Sequence, residues 1–194
     1  MLISLACTIV IASIFIMMSF SYTHKRAHKK FAKSKQQAPS LTSFRTLSKA
    51  LFVSSMLLTL TSYWVSPSWL LQADINPVVQ LFGVAMVIIG YFNLQRSFSN
   101  LGENYSPLFE AYLPLELVTK GAYSMIRHPI YLYNLFVSFG LAVSSMSALV
   151  LINAVIGLLF ILRAIHIEER YLANHFSQYS DYTQKTWRMI PYLF

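Results

Sequence analysis

The chain has 194 residues, of which 56% are hydrophobic and only 11% charged, with a mean hydropathy of +0.52. A water-soluble domain of this length carries about twice that share of charged residues, so the composition excludes an ordinary soluble globule and points to a surface that faces lipid. Fifteen Lys and Arg against seven Asp and Glu leave a net charge of +8, and the single cysteine, Cys7, excludes an internal disulfide or a cysteine-built metal site.

In chain order, Leu2 to Phe20 is uncharged and long enough to cross a bilayer as a helix. Positive charge follows this run instead of preceding it, and no small-residue cleavage site is evident, which predicts an uncleaved anchor and not a secretory signal. His24 to Lys35 is dense in Lys and Arg, a composition suited to lying along anionic headgroups. A second apolar run covers Leu47 to Leu71 with a break near Pro67, and a third covers Val78 to Leu94. The fourth, from Pro129 to Ile165, has Arg163 as its one charge. As one helix it would reach about 55 Å at ~1.5 Å per residue, against ~30 Å of hydrocarbon, so it must fold back. Ser144, Ser145, Met146 and Ser147 are the natural turn. The predicted architecture is therefore all-α, an integral membrane protein with five transmembrane helices.

Charge placement orients it. Lys25, Arg26, Lys29, Lys30, Lys33, Lys35, Arg45 and Lys49 lie between the first two spans. Arg96, Lys120 and Arg127 lie between the third and fourth, and Arg163, Arg170, Lys185 and Arg188 at or beyond the end of the fifth. The opposite segments, Ser66 to Pro77 and the serine turn, contain only Asp74. The positive-inside rule then puts the N-terminus outside and the C-terminus in the cytoplasm. Topology accounts for the net charge, and no nucleic-acid partner is implied, since that would need an exposed basic face interleaved with aromatics. The loop from Gln95 to Pro129 and the tail from Ile165 to Phe194 hold six of the seven acidic residues, so any chemistry is expected at the cytoplasmic face. The chain divides accordingly into residues 1–94, three spans with a basic loop, and 95–194, the region that carries chemistry.

Three polar stretches stand out there. In LVTKGAYSMIRHPIY, Leu117 to Tyr131, Gly121 permits a turn and Pro129 opens the next helix, with Arg127 and His128 just ahead of it. Free N–H groups at a helix start beside a cation and an imidazole suit a carboxylate or phosphate. The same residues could equally form an interfacial belt, with Tyr123 and Tyr131 among headgroups and Arg127 on lipid phosphate. In RAIHIEERYL, Arg163 to Leu172, Glu168 and Glu169 are neighbours about 100° apart on a helix, so only one can point fully into a shared site. The other, Glu169, is then solvated or bridged to a basic residue. His128, His166 and His175 show no metal-binding spacing, and no metal is expected. The third stretch, FSQYSDYTQKTWRMIPYLF, reads as an amphipathic piece that packs back on the loop or the bilayer.

Together, LVTKGAYSMIRHPIY, EERYL at the foot of the last span and a Phe-x-x-Tyr-x-x-Tyr tail resemble the isoprenylcysteine carboxyl methyltransferase family and its prokaryotic relatives, kin to membrane phospholipid methyltransferases. LGENYS, Leu101 to Ser106, is similar to the segment ahead of this motif in prokaryotic members. The resemblance covers about residues 95–194. It implies an S-adenosylmethionine-dependent methyltransferase whose cofactor pocket faces the cytoplasm and is closed by the C-terminal tail. It implies cofactor contacts from Leu117, Val118 and Tyr123, from His128, Pro129, Ile130 and Tyr131, and from Glu168. The family's substrate-contacting arginine falls four residues before that glutamate, where this chain has Ala164; Arg163 is five before. Arg163 and Arg127 are the candidates to orient an acceptor. Leu115 stands where the family often has a polar residue and Tyr133 where it has a small one, which implies a different acceptor shape.

A sulfonium methyl is intrinsically electrophilic, so such an enzyme mainly aligns donor and nucleophile and excludes water. A carboxylate acceptor would need no general base, and none stands out. The expected acceptor is a carboxylate, or another nucleophile, of a lipid-like or prenylated molecule entering from the bilayer. Two other classes fit less well. A membrane sterol or enone reductase would need more cations for the 2′-phosphate of NADPH than Arg127 and Lys120, and a non-enzymatic lipid-binding protein would need no cofactor.

Overall fold

A computed structural model describes residues 2–28, 42–65, 73–74, 76–104 and 116–193. The basic residues Lys29 to Lys35, the break at Pro67, Tyr105, Ser106 and Leu115 lie outside the described residues. Within them the chain is helical: α1 Leu2–His28, α2 Thr42–Ser62, α3 Pro77–Leu101, α4 Pro129–Ser145, α5 Ala148–His175 and the short α6 Tyr179–Lys185, with 3₁₀ turns at Gly102–Asn104 and Gly121–Ser124. No strand occurs among the described residues; an isolated parallel bridge joins Ile126 to Trp187.

The helix starts are written locally. The Asn76 side chain accepts the Val78 N–H at 2.9 Å ahead of α3, and Pro77 occupies the first turn, where no intrahelical N–H is lost. Pro129 does the same for α4. The expected hairpin turn falls where the serines stand: α4 ends at Ser145, Met146 takes a left-handed conformation with φ 50°, and α5 follows Ser147. Both α3 and α5 run past the apolar stretches, through Arg96 to Leu101 and through Glu168 to His175; the α5 extension is rich in strong helix formers, Glu, Arg, Leu and Ala.

Among the described residues three helices, α1, α3 and α5, are long and apolar enough to cross a membrane; the apolar parts of α2 and α4, Thr46–Ser62 and Pro129–Ser145, are shorter. The distribution of polarity is the reverse of a soluble protein's. Val78, Phe82, Ile89 and Phe92 point outward from α3, and Ile152 and Leu159 from α5, whereas Gln80, Ser144, Ser145, Ser147 and Thr59 are buried. In hydrocarbon, apolar residues gain nothing by facing inward, and polar groups find partners only inside the bundle. The Tyr63 hydroxyl accordingly pairs with Ser144 Oγ, and Asn153 Nδ2 donates to Ser54 Oγ at 3.0 Å between α5 and α2.

Helices α3 and α4 form the tightest pair. A Cβ at Gly83 would lie 2.7 Å from the Gly140 carbonyl, so both positions require glycine for the backbones to touch. Cys7, Ile11, Met56, Val84, Val87, Val137, Leu141 and Val150 make the main core around this contact. A smaller cluster of Leu135, Ile165 and Met189, with Tyr131 and Leu132 against it, joins α4, α5 and the tail at the other end. Tyr131 links that second cluster to His128, on whose ring it stacks.

Candidate active site

Gly121 begins the site with φ 60°, a left-handed turn that also lets Asn100 of α3 pack against its Cα. The 3₁₀ turn that follows buries Tyr123 and delivers Ile126, Arg127 and His128 to the start of α4. Here the tail docks by its backbone. Trp187 N–H donates to Met125 O at 3.1 Å, Arg127 N–H to Trp187 O at 2.8 Å and His128 N–H to Arg188 O at 3.0 Å. The Tyr182 hydroxyl donates to the Tyr123 carbonyl at 2.7 Å, and Met189 is buried against Leu135 and Ile165. Tail and loop are thus one structure.

Glu169 is the hub of this junction. Its Oε1 accepts Arg127 Nε at 2.8 Å and lies 3.3 Å from His128 Nε2, while its Oε2 accepts Arg188 Nε at 2.8 Å. Arg127 also donates to the Thr186 carbonyl and, at 3.3 Å, to the Thr183 carbonyl. With side chains only 9% and 11% exposed, Arg127 and Glu169 form a buried pair whose remaining hydrogen-bonding groups are met by the tail. Of the two readings open for Glu169, solvated or bridged, it is bridged.

Glu168 differs. Its Oε2 is buried yet has no hydrogen-bond partner among the described residues, and it lies 3.6 Å from His128 Nδ1, too far for a bond. His128 itself is buried and stacked on Tyr131, with ring centroids 5.5 Å apart and 22° between planes. The Tyr179 hydroxyl, on the first turn of α6, is likewise buried without a hydrogen-bond partner among the described residues. Burial, together with the Glu169 and Glu168 charges, pushes that hydroxyl well above the usual tyrosine range, so it stays a donor. Burial does the same for Tyr182. Glu168 Oε2 is thus an unmet acceptor beside His128, and the Tyr179 hydroxyl an unmet donor on α6. Leaving such groups buried and unpaired costs about 1–3 kcal/mol each, which makes them candidates for an external partner.

The residues expected at a site do not all converge. His128, Pro129, Tyr131 and Glu168 come together at the α4 start; Pro129 is fully buried, and Ile130, Leu117 and Val118 are half-buried in the same segment. Arg127 is present, but its donors go to Glu169 and the tail. Arg163 is exposed on α5, about 140° around the helix from Glu168, whereas Ala164 is buried. Neither arginine thus has the free, inward guanidinium expected for orienting an acceptor.

A model of the phospholipid methyltransferase family matches residues 78–179, just over half of the chain, from the start of α3 to Tyr179. The chain belongs to the phospholipid methyltransferase family. Among curated relatives it is 38% identical over 80 residues to the cobalt-zinc-cadmium resistance protein CzcN of Cupriavidus metallidurans, and 36% identical over 81 residues to the nickel-cobalt-cadmium resistance protein NccN of Alcaligenes xylosoxydans xylosoxydans. Each match takes in 40% of this chain and only 36% and 37% of those proteins. The solved structure of the eukaryotic intramembrane Ras methyltransferase ICMT superposes with a TM-score of 0.61 at 18% identity, over 94% of this chain and 65% of that one. The shared fold is that of an integral membrane protein.

Within the family-matched region lie Gly121, Arg127, His128, Glu168 and Glu169, while Tyr182, Thr186 and Arg188 stand beyond it. Sequence reasoning held the bridged Glu169 as one of two readings but did not foresee that it joins two arginines and a histidine, nor the Thr186 carbonyl. A signal for Glu169 existed in the basic residues Arg127 and Arg188 on either side of it in sequence; a backbone carbonyl gives none.

Proposed function

We propose that this phospholipid methyltransferase family member transfers a methyl group from S-adenosylmethionine to a lipid-like acceptor at the cytoplasmic end of a five-helix membrane bundle. The observation that carries the reading is the unmet Glu168 carboxylate oxygen beside His128, with the unmet Tyr179 hydroxyl on the docked α6. A buried acceptor and a buried donor suit the ammonium and carboxylate of an amino-acid moiety, so the residues fit the cofactor. When bound, S-adenosylmethionine supplies a methyl already activated by its sulfonium.

In this reading Glu168 accepts a charge-assisted hydrogen bond, with the buried His128 ring stacked on Tyr131 beside it. Tyr131 and the half-buried Leu117, Val118 and Ile130 give the pocket its apolar wall, and Tyr123 and Pro129 hold that wall in place. The tail, fastened through Glu169, excludes water from the reacting atoms. Residues 95–194 then carry the chemistry, and 1–94 supply spans that place it at the membrane. The acceptor arrives from the bilayer, with a carboxylate or another nucleophile at its reactive end.

S-Adenosylhomocysteine should raise the melting temperature of the detergent-purified protein, NADPH should not, and label from methyl-labelled cofactor should pass into a lipid extract. Stabilisation by NADPH alone would replace this reading with a reductase.

The five-span topology with an outside N-terminus rests on the placement of the basic residues. Cysteines at the exposed positions Asp74 and Ser180, in a Cys7→Ser background, should react with impermeant reagents from opposite sides of the membrane. Reaction of both from one side would exclude the topology.

A further inference from the structure

The outward face of α5 carries apolar residues that give way to a basic row. Ile152, Val155, Leu159 and Leu162 are all exposed, Leu159 at 61%. Arg163, His166 and Arg170 continue the same face and are exposed too. Arg163 and Arg170 are seven residues apart, within about 20° of one direction and about 10 Å along the axis, with His166 between them. Arg170 Nη2 lies 3.3 Å from His166 Nε2, and a guanidinium is only a donor, so His166 accepts there and its own N–H is left at Nδ1. The row thus presents donors and no acceptor to the outside.

Depth makes Arg163 the telling member. From Ala148 it lies about 22 Å along the helix at ~1.5 Å per residue, short of the ~30 Å hydrocarbon thickness. Among the described residues no acidic side chain pairs with it: Glu169 is held by Arg127, His128 and Arg188, and Glu168 points about 140° away. A lipid-facing cation at that depth needs a counter-charge from outside the protein, reached by extending toward the headgroups.

We infer that Arg163, His166 and Arg170 form a binding site for the phosphate of an anionic phospholipid in the cytoplasmic leaflet, with its acyl chains along Leu162, Leu159, Val155 and Ile152. The site is separate from the methyl-transfer site: it lies on the opposite side of α5 and uses none of the residues that fit the cofactor. Its role is to seat the catalytic end of α5 at the headgroup level.

The experiment compares purified protein in phosphatidylcholine with and without phosphatidylglycerol, counting retained lipid by native mass spectrometry and following melting temperature, with no cofactor present. The wild type should retain phosphatidylglycerol and melt higher in it, and the difference should fade at high salt. Arg163→Gln and Arg170→Gln should each weaken retention about fivefold, and the pair more than tenfold. Lysine at both positions should restore most of it, because a lipid phosphate accepts a point charge. Equal retention by the double glutamine variant would overturn the site. So would a salt-insensitive preference, or the same stabilisation from soluble glycerol phosphate, which would show that no lipid is needed. The salt and glycerol phosphate arms use the wild type, so they decide the matter even where a variant folds poorly.

Discussion

Replacing Glu169 by alanine is expected to release the C-terminal tail, at a cost of about 3–5 kcal/mol, the range for removing one partner of a buried ion pair. The reason is the number of groups that depend on one carboxylate. Arg127 and Arg188 each donate to it at 2.8 Å, and His128 Nε2 lies 3.3 Å away. Without it Arg127 is left as a buried cation facing only tail carbonyls, and the bond that ties Arg188 to α5 is gone. Trypsin should then cut after Lys185, in the tail, far faster than in the wild type, and the melting temperature should fall. Arg127→Ala should behave similarly, and the double substitution should cost much less than the two added, since both break the same cluster. A tail equally protected in Glu169→Ala would mean that the backbone bonds at Trp187 and Arg188 and the buried Met189 suffice alone.

The parts of the fold legible in the sequence were those that lipid dictates. Uncharged runs had to become helices, and the length of Pro129 to Ile165 demanded a turn, which the serines and Met146 provide. Gly121 and Pro129 were legible because a left-handed turn and a helix start each favour one residue type. The tail's docking was not, because its decisive bonds run between backbones, from Met125 and Arg127 to Trp187 and from His128 to Arg188, and backbone groups are the same in every residue. Glu168 and Glu169 could be told apart only in part. Helical geometry says that they diverge, but which one meets Arg127 depends on where the tail and loop come together in space. The direction of Arg163 was implicit in the same arithmetic, since five residues from Glu168 leave the two about 140° apart. A motif match one residue out of register hides that rotation, and the buried Ala164 now occupies the inward position.

Glu168→Gln is expected to weaken S-adenosylhomocysteine binding by about ten- to over a hundredfold, the equivalent of roughly 1.5–3 kcal/mol for a lost charge-assisted hydrogen bond. The substitution is nearly isosteric, and the buried Oε2 that it alters has no hydrogen-bond partner among the described residues, so melting temperature without ligand should stay within a few degrees of the wild type. That separation of binding from stability distinguishes Glu168 from its neighbour. Glu169→Gln removes the charge that Arg127, His128 and Arg188 share, so its loss of affinity should accompany a loss of stability and an opened tail. Calorimetric titration of both variants, alongside their unliganded melting curves, checks this. The decisive outcome is the pattern: Glu168→Gln stable but weakly binding, Glu169→Gln unstable. A Glu168→Gln protein that binds with wild-type affinity would show that the unmet oxygen faces no cofactor, and the methyltransferase site would have to be sought away from the foot of α5.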